Sequence, residues 1–274
     1  MFKFYLLKFI SLDFCKISQF ISLDFYKKQQ FICLDNFDLL FLHSETKAIF
    51  NMYCKRLIDK YLSEWASRDT HKPLLLRGAR QVGKSTAVQE LSKKFDTFVE
   101  INFEKQPKYK ALFKDDLDVK RIVPQISAMY GTSIRPGKTL LFLDEIQECP
   151  EAIMALRFFK EDMPELHVIA AGSLLEFALK ELPTFGVGRI HSMFMYPMTF
   201  DEFLEANGQQ LLIEARNQAS IDNPLPEPLH DKLVELLRTY MLVGGMPEAV
   251  KTWVEFHDYV RCQEVQDDIV VTYE

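Results

Sequence analysis

The sequence predicts an α/β fold of three layers, α/β/α, in which helices cover both faces of a mainly parallel five-stranded sheet. From Lys72 onward, short apolar runs alternate with stretches of helical periodicity, which is typical of parallel strands joined by right-handed crossovers. A length of 274 residues with 48% apolar composition is enough to bury one such core and a small second module. The expected strands are residues 74–76, 98–103, 139–143, 167–171 and 190–196.

Helices are expected between and after these strands. One is predicted over residues 85–94 and another over residues 150–163, where a proline marks each end. Thr199 and Glu202 have the spacing of a capping box, in which the threonine side chain binds an amide of the first turn and the glutamate binds back. This box predicts the start of a helix that ends near Gly208.

Composition divides the chain into four segments. Residues 1–51 form an N-terminal extension, and residues 52–222 form the main α/β domain. Residues 223–229 contain three prolines, which lack amide hydrogens, and are therefore predicted to be a linker. Residues 230–274 are long enough for two or three helices.

The N-terminal extension differs from the rest of the chain. It contains ten of the 23 phenylalanines but neither glycine nor proline, and a six-residue unit recurs in it every eleven residues, starting at Phe9, Phe20 and Phe31. One interpretation is a helical repeat that forms a supercoil or binds a partner. The other, which is favoured because phenylalanine is a mediocre helix former, is a start codon assigned too early, with the native protein beginning at Met52.

Charge and cysteine content argue against several classes of protein. The net charge of −6 makes nucleic acid an unexpected partner. The five cysteines show no metal-binding or disulfide spacing, so a cytoplasmic location is expected. No membrane segment is expected, since the longest stretch of the extension without charged residues or histidine is residues 17–23, and a spanning helix needs roughly 20 residues.

A phosphate-binding motif follows the first strand. Residues 78–85 read GARQVGKS, which fits the Walker A pattern GxxxxGKS between a strand and a helix. Glycines let the backbone wrap around phosphates, and amides at the helix start favour their negative charge. Lys84 is expected to contact the β- and γ-phosphates, and Ser85 to bind Mg²⁺. The expected nucleotide-binding residues are Gly78, Ala79, Arg80, Gln81, Val82, Gly83, Lys84, Ser85 and Thr86.

Two adjacent acids end the third apolar run. Asp144 and Glu145 are therefore expected at the carboxyl edge of the sheet, where open α/β sheets bind ligands. Asp144 would hold the magnesium, as in a Walker B motif, and Glu145 would polarise the attacking water and accept its proton. On their own, the two acids fit ordinary capping of the next helix equally well. Beside the phosphate-binding motif, the hydrolytic interpretation is preferred.

From about Leu57 to its C-terminus, the sequence resembles the prokaryotic AAA+ ATPases in which a P-loop domain precedes a C-terminal domain of unknown function. The resemblance implies the AAA+ type of P-loop fold and ATP as the nucleotide. The matching stretches are LLLRGARQVGKST (74–86), FLDEIQ (142–147), AGS (171–173), GRI (188–190) with YPMTFDEFL (196–204), and LVGGMPE (242–248).

The resemblance implies three further roles. Ser173 would be a polar sensor between the γ-phosphate and water, although an N-cap before the next helix explains it equally well. Arg189 would stabilise transition-state charge, in its own site or in that of a neighbour, with a surface salt bridge as the alternative. Asn102 would hold Glu145 inactive until a partner binds, and the preferred alternative is a plain asparagine near a turn.

The expected function is ATP hydrolysis that drives a conformational switch. In the resembled family a long C-terminal domain follows residues 240–248, whereas this chain stops at Glu274, so that domain is expected to be truncated. An unidentified protein or effector would bind through this region. The alternatives are a nucleotide-binding switch with negligible turnover and an inactive fragment of a larger ATPase. A small-molecule kinase and a DNA motor lack the expected arginine-rich lid and basic stripe.

Overall fold

The computed structural model describes residues 53–273, apart from residues 69, 174, 176–178 and 180–187. The N-terminal extension of residues 1–51 lies outside the described residues. Within them, one sheet of five strands is present, in the spatial order β2-β3-β4-β1-β5. The strands are β1 (Leu74–Arg77), β2 (Thr97–Asn102), β3 (Thr139–Asp144), β4 (His167–Gly172) and β5 (His191–Phe194).

All five strands run parallel. Strand β4 lies between β1 and β3, and its Gly172 pairs with Arg77 while its Ala170 pairs with Leu143. Strand β5 forms one edge and pairs with β1 over four residues. The predicted fold class is therefore confirmed, with strand ends displaced by at most two residues. The largest displacement is at the end of β5, because its only neighbour in the sheet, β1, is four residues long.

Alternate residues of the central strands face opposite sides of the sheet, as the period of a β-strand requires. In β3, Leu141 and Leu143 belong to one buried cluster, and Leu140 and Phe142 belong to another. Both β3 and β4 are buried along their whole length. The sheet is thus covered on both faces, which gives the three layers that the sequence predicted.

Helices lie before and between the strands, and further helices follow the last strand along the chain. A 3₁₀ helix spans Pro107–Phe113, and a shorter one spans Ile146–Glu148. The α-helices named below are α1 (Leu57–Ala66), α2 (Lys84–Ser92), α3 (Val119–Tyr130), α4 (Pro150–Asp162), α5 (Phe200–Ala206), α6 (Gln210–Gln218), α7 (Glu227–Val243), α8 (Pro247–Phe256) and α9 (Tyr259–Val271).

The capping box is confirmed at the start of α5. The Thr199 hydroxyl accepts a hydrogen bond from the Glu202 amide at 3.3 Å, and the Glu202 carboxylate accepts one from the Thr199 amide at 2.6 Å. Helix α7 begins at Glu227, two residues before the predicted end of the proline-rich linker. Pro228 is accommodated because the first turn of a helix needs no amide donor.

The C-terminal helices share a third buried cluster with α5. Cys54, Phe203, Val243 and Cys262 are among its members, and it joins the segment before α1 to helices α5, α7, α8 and α9. The Tyr240 hydroxyl donates to the Met198 carbonyl at 2.7 Å, which ties α7 to the segment between β5 and α5. Among the described residues, no helix is long and apolar enough to cross a membrane.

Candidate functional site

The GxxxxGKS loop connects the carboxyl end of β1 to the start of α2. Gly78 and Gly83 have φ angles of 148° and 95°, which side-chain-bearing residues rarely adopt. A Cβ atom on Gly78 would also lie 2.1 Å from the Met195 carbonyl oxygen. These two positions therefore require glycine, and the backbone between them forms a turn in front of the amides at the start of α2.

Lys84, the first residue of α2, turns its side chain back over the loop. Its Nζ donates hydrogen bonds to the carbonyl oxygens of Gly78 at 2.9 Å and Ala79 at 2.8 Å. Burial lowers the pKa of Lys84, while Glu145 and Asp144 act in the opposite direction. A buried ammonium group thus lies against the loop that the sequence marks for phosphates.

Ser85 and Asp144 meet across the gap between α2 and β3. The Ser85 hydroxyl donates to Asp144 Oδ2 at 3.0 Å. Burial raises the pKa of Asp144, and hydrogen bonds from Ser85 and from the Glu145 amide oppose that rise. Two residues that are 59 positions apart in the sequence therefore bring a hydroxyl and a carboxylate to one point beside Lys84.

The chemistry of this pair fits magnesium. Mg²⁺ prefers oxygen ligands and is usually held by one or two protein groups together with phosphates and waters. Ser85 and Asp144 supply a hydroxyl and a carboxylate of that kind. Within the part of the chain that the structure describes, no group of three or more His, Cys, Asp and Glu residues could hold a metal ion.

Glu145 follows β3 in a left-handed backbone conformation, with φ of 47° and ψ of 48°. Its amide donates to Asp144 Oδ1 at 3.1 Å, which fixes the two acids relative to each other. Its carboxylate accepts a hydrogen bond from Gln147 Nε2 at 2.6 Å. The sequence had not singled out Gln147, because a glutamine two residues after an acid has no distinctive signal.

Asn102 does not contact Glu145 in the way that the resemblance implied. Its Nδ2 donates to Asp144 Oδ2 at 3.3 Å, and its Oδ1 accepts hydrogen bonds from the amides of Glu104 and Lys105. The inhibitory role expected for Asn102 is therefore not supported by its contacts. The alternative of an asparagine that stabilises the turn after its strand agrees with them.

Ser173 follows the last residue of β4, which lies between β1 and β3. It is therefore at the same edge of the sheet as the GxxxxGKS loop and Asp144, and it is half-buried. The residue after it lies outside the described part of the chain, so the alternative of an N-cap stays a prediction. The sensor role of Ser173 also stays a prediction.

Arg189 lies at the edge of the sheet where the strands begin, opposite the GxxxxGKS loop and Asp144. It precedes β5, whose first residue His191 pairs with Leu74 at the start of β1. Its Nε forms an ion pair with Glu161 near the end of α4. The length of β1 separates Arg189 from the loop, and its role in its own site stays a prediction. Action in the site of a neighbouring molecule stays a prediction.

Arg56 is a buried residue at this site that the sequence did not reveal. Its Nη1 donates to the Val82 carbonyl in the loop at 2.7 Å, and its Nη2 donates to the Tyr196 carbonyl at 2.6 Å. Its Nε pairs with Glu202 Oε1 at 3.0 Å. These contacts join residues up to 146 positions apart, and no local sequence pattern predicts them.

The other loop residues differ in exposure. Val82 is buried in the cluster beneath the loop, whereas Arg80, Gln81 and Thr86 are exposed. The Arg80 carbonyl accepts a hydrogen bond from the hydroxyl of Tyr273 at 2.9 Å, just after α9. The C-terminal helical segment thus ends in contact with the loop.

A parallel α/β sheet with this loop after β1 and paired acids after β3 defines the class of P-loop nucleotide-binding proteins. The sequence model of the AAA domain family matches residues 70–204, a stretch that includes every predicted site residue. Residues 70–204 therefore match the AAA domain of P-loop ATPases.

Solved structures with a similar fold include the Walker-type ATPase PABY2304 of Pyrococcus abyssi, at 17% identity and a TM-score of 0.48, covering 81% of this chain and 74% of that one. The ORC1 protein of Aeropyrum pernix, solved in complex with DNA, is 13% identical with a TM-score of 0.40, covering 74% and 67%. Cdc6p of Pyrobaculum aerophilum is 12% identical with a TM-score of 0.41, covering 81% and 66%. The comparison with curated proteins finds no match.

Proposed function

We propose that this protein binds ATP together with Mg²⁺ and hydrolyses it at the site formed by the GxxxxGKS loop, Asp144 and Glu145. The observation that carries the proposal is the 3.0 Å hydrogen bond between Ser85 and Asp144. It joins the helix that follows a phosphate loop to the strand that ends in two acids. The match of residues 70–204 to the AAA domain family supports ATP as the nucleotide.

The protein supplies the phosphate contacts. The amides at the start of α2 favour anions, and Lys84 places a positive charge beside them. To reach a phosphate, the Lys84 ammonium would exchange its hydrogen bonds with the carbonyls of Gly78 and Ala79 for phosphate oxygens. Phosphates would restore its full set of charge-assisted partners, so the exchange leaves no buried donor unpaired.

Ser85 and Asp144 would hold the magnesium, which neutralises charge on the phosphates when it is bound. Glu145 would act as general base. Its backbone is fixed next to Asp144, so its carboxylate starts from the edge of the sheet at which the phosphates are expected. There it would orient a water molecule and accept its proton.

We further propose that the cycle works as a conformational switch read by an unidentified protein or effector through the C-terminal helices. Two contacts support this proposal. Arg56 bonds the Val82 carbonyl and also Glu202 of α5, and Tyr273 bonds the Arg80 carbonyl. A loop that rearranges around phosphate would change both contacts, and the helices that carry them would respond.

Phosphate release from ATP with magnesium tests the hydrolytic function. The wild-type protein is compared with Glu145→Gln, which keeps the shape of the side chain but is a far weaker base, and with Glu214→Gln as a matched exposed control. We expect turnover by the wild type and the control, and a loss of about 100-fold or more in Glu145→Gln with ATP binding retained. Equal turnover in all three proteins would refute the role of Glu145, and binding without turnover by any would favour a nucleotide-binding switch.

A further inference from the structure

Gln147 lies in the short 3₁₀ helix after β3 and links the end of β3 to the end of β4. Its Nε2 donates to Glu145 Oε2 at 2.6 Å. Its Oε1 is buried, and among the described residues it has no hydrogen-bond partner. That oxygen lies against Gly172 at the end of β4, where an added Cβ atom would be 2.2 Å away from it.

The chemistry of the carboxylate fixes which way this amide faces. An ionised carboxylate only accepts hydrogen bonds, so the amino group of Gln147 has to face Glu145 and its carbonyl has to face Gly172. The absence of a side chain at Gly172 provides the space for that carbonyl. A buried polar oxygen without a partner costs free energy. The bond to Glu145 is therefore kept at a cost, which suggests that it has a function.

Glu145 depends on an outside contact for a single orientation. Its backbone is in the left-handed region, and its side chain has three rotatable bonds. The bond from Gln147 uses one carboxylate oxygen, Oε2, and leaves the other oxygen, Oε1, able to accept a hydrogen bond from a separate group. A general base whose orientation is held by a third group is the arrangement that hydrolytic sites use to aim their bases.

We propose that Gln147 is a positioning residue for the hydrolytic step: it holds Glu145 by Oε2 so that Oε1 accepts the proton of the attacking water. The proposal rests on the proposed ATPase function. Asn102, which the resemblance suggested as the partner of Glu145, bonds Asp144 instead. Gln147 touches neither phosphate nor metal in this proposal, so it is expected to affect the chemical step and not ATP binding.

Steady-state kinetics and ATP affinity of two variants test the proposal. Gln147→Met keeps the side-chain length but removes the donor, and Gln147→Glu keeps the shape but places a second carboxylate beside Glu145. We expect kcat to fall about tenfold or more in Gln147→Met, and further in Gln147→Glu. The equilibrium Kd for ATP with magnesium should stay within about twofold of wild type in both.

Gln210→Met is the matched control, because Gln210 also donates to a glutamate, Glu214, at 3.4 Å on exposed α6. It should leave kcat and Kd unchanged. Wild-type kcat in both Gln147 variants, or a loss confined to Kd, would overturn the positioning role while the ATPase function stands. If the wild type itself releases no phosphate, both proposals fall. Gln147→Glu preserves the side-chain volume. If Gln147→Met fails to fold, the kcat of Gln147→Glu therefore tests the positioning role by itself.

Discussion

Two histidines form a stacked pair where the strands of the sheet begin, at the edge opposite the candidate site. The rings of His71 and His167 lie 3.8 Å apart, centroid to centroid, and Trp65 packs edge-on against both. Burial lowers the pKa of both histidines, and for His167 the neighbouring His71 adds to the effect, bringing its pKa to about 4. Each ring bonds a backbone carbonyl, through Leu166 and Ala66 respectively. Both are therefore neutral in the folded protein near pH 7.

This pair predicts a loss of stability in mild acid. A histidine with a folded-state pKa below the unfolded value of 6.5 stabilises the fold above that value, and the stabilisation is lost as pH falls from 6.5 toward about 4. Between pH 7 and pH 4.5 this shift corresponds to roughly 2 kcal/mol of unfolding free energy. Urea unfolding at pH 7 and pH 4.5 measures it, and His167→Phe should lose much less stability between the two values than wild type does.

The exposed residue His230 supplies the control, and His230→Gln should behave as wild type does at both pH values. An unchanged acid sensitivity in His167→Phe would show that other groups, such as carboxylates in ion pairs, cause the loss.

At the scale of single residues, the local motifs identified Lys84, Ser85 and Asp144 correctly as neighbours. Gln147 and Arg56 were missed because their contacts depend on the arrangement of strand ends and on a partner far along the chain.

At the scale of elements, the ion pair between Arg56 and Glu202 joins four segments. Arg56 precedes α1 and contacts the loop and the segment after β5, and Glu202 caps α5 and accepts the Leu57 amide at 2.6 Å. Both side chains are 5% exposed. Breaking a buried pair from one side leaves a charge without a partner, and this loss costs more than the pair itself contributes.

We predict that Arg56→Met lowers the free energy of unfolding by about 3 to 5 kcal/mol, since Glu202 keeps its buried charge. The neighbouring pair between Lys55 and Glu205 joins the same two regions but is exposed, with 76% of the lysine side chain accessible. Lys55→Met should therefore change stability far less. Urea titration of both variants tests this contrast, and equal effects would contradict the proposed importance of burial.

The strands were predictable because each is a short apolar run, and β3 and β4 are buried on both faces. The capping box at Thr199 was predictable because its hydrogen bonds are local. The start of α7 was not, because a proline at the first turn of a helix and a proline in a linker look alike in sequence. The sequence also indicated only the capping role of Glu202, since its second partner lies 146 residues away.

At the scale of the whole molecule, the C-terminal helices and the segment before α1 share one buried cluster. Cys54 and Cys262 both belong to it, and Cys149 lies in the cluster on one face of the sheet. Burial raises the pKa of all three thiols, to about 11 for Cys149. The thiolate is the form that attacks thiol reagents, so these cysteines should react slowly in the folded protein.

Site-resolved thiol labelling, read by mass spectrometry, tests whether the helices and the main domain open together. We predict that Cys54 and Cys262 are labelled at similar slow rates under native conditions, and that urea exposes both at the same concentration. Rapid labelling of Cys262 while Cys54 stays protected would show that α7, α8 and α9 do not share a stable core with the segment before α1.

Every proposed activity of the site requires nucleotide phosphates to bind at the GxxxxGKS loop. The most direct measurement is calorimetric titration of the full chain with ATP in the presence of magnesium, beside the variant Lys84→Ala and the exposed control Lys93→Ala, just after the same helix. We predict that wild type and Lys93→Ala bind ATP alike and that Lys84→Ala binds at least about tenfold more weakly, because a charge-assisted phosphate contact is lost. Failure of the wild type to bind, or equal binding by all three proteins, would contradict the account.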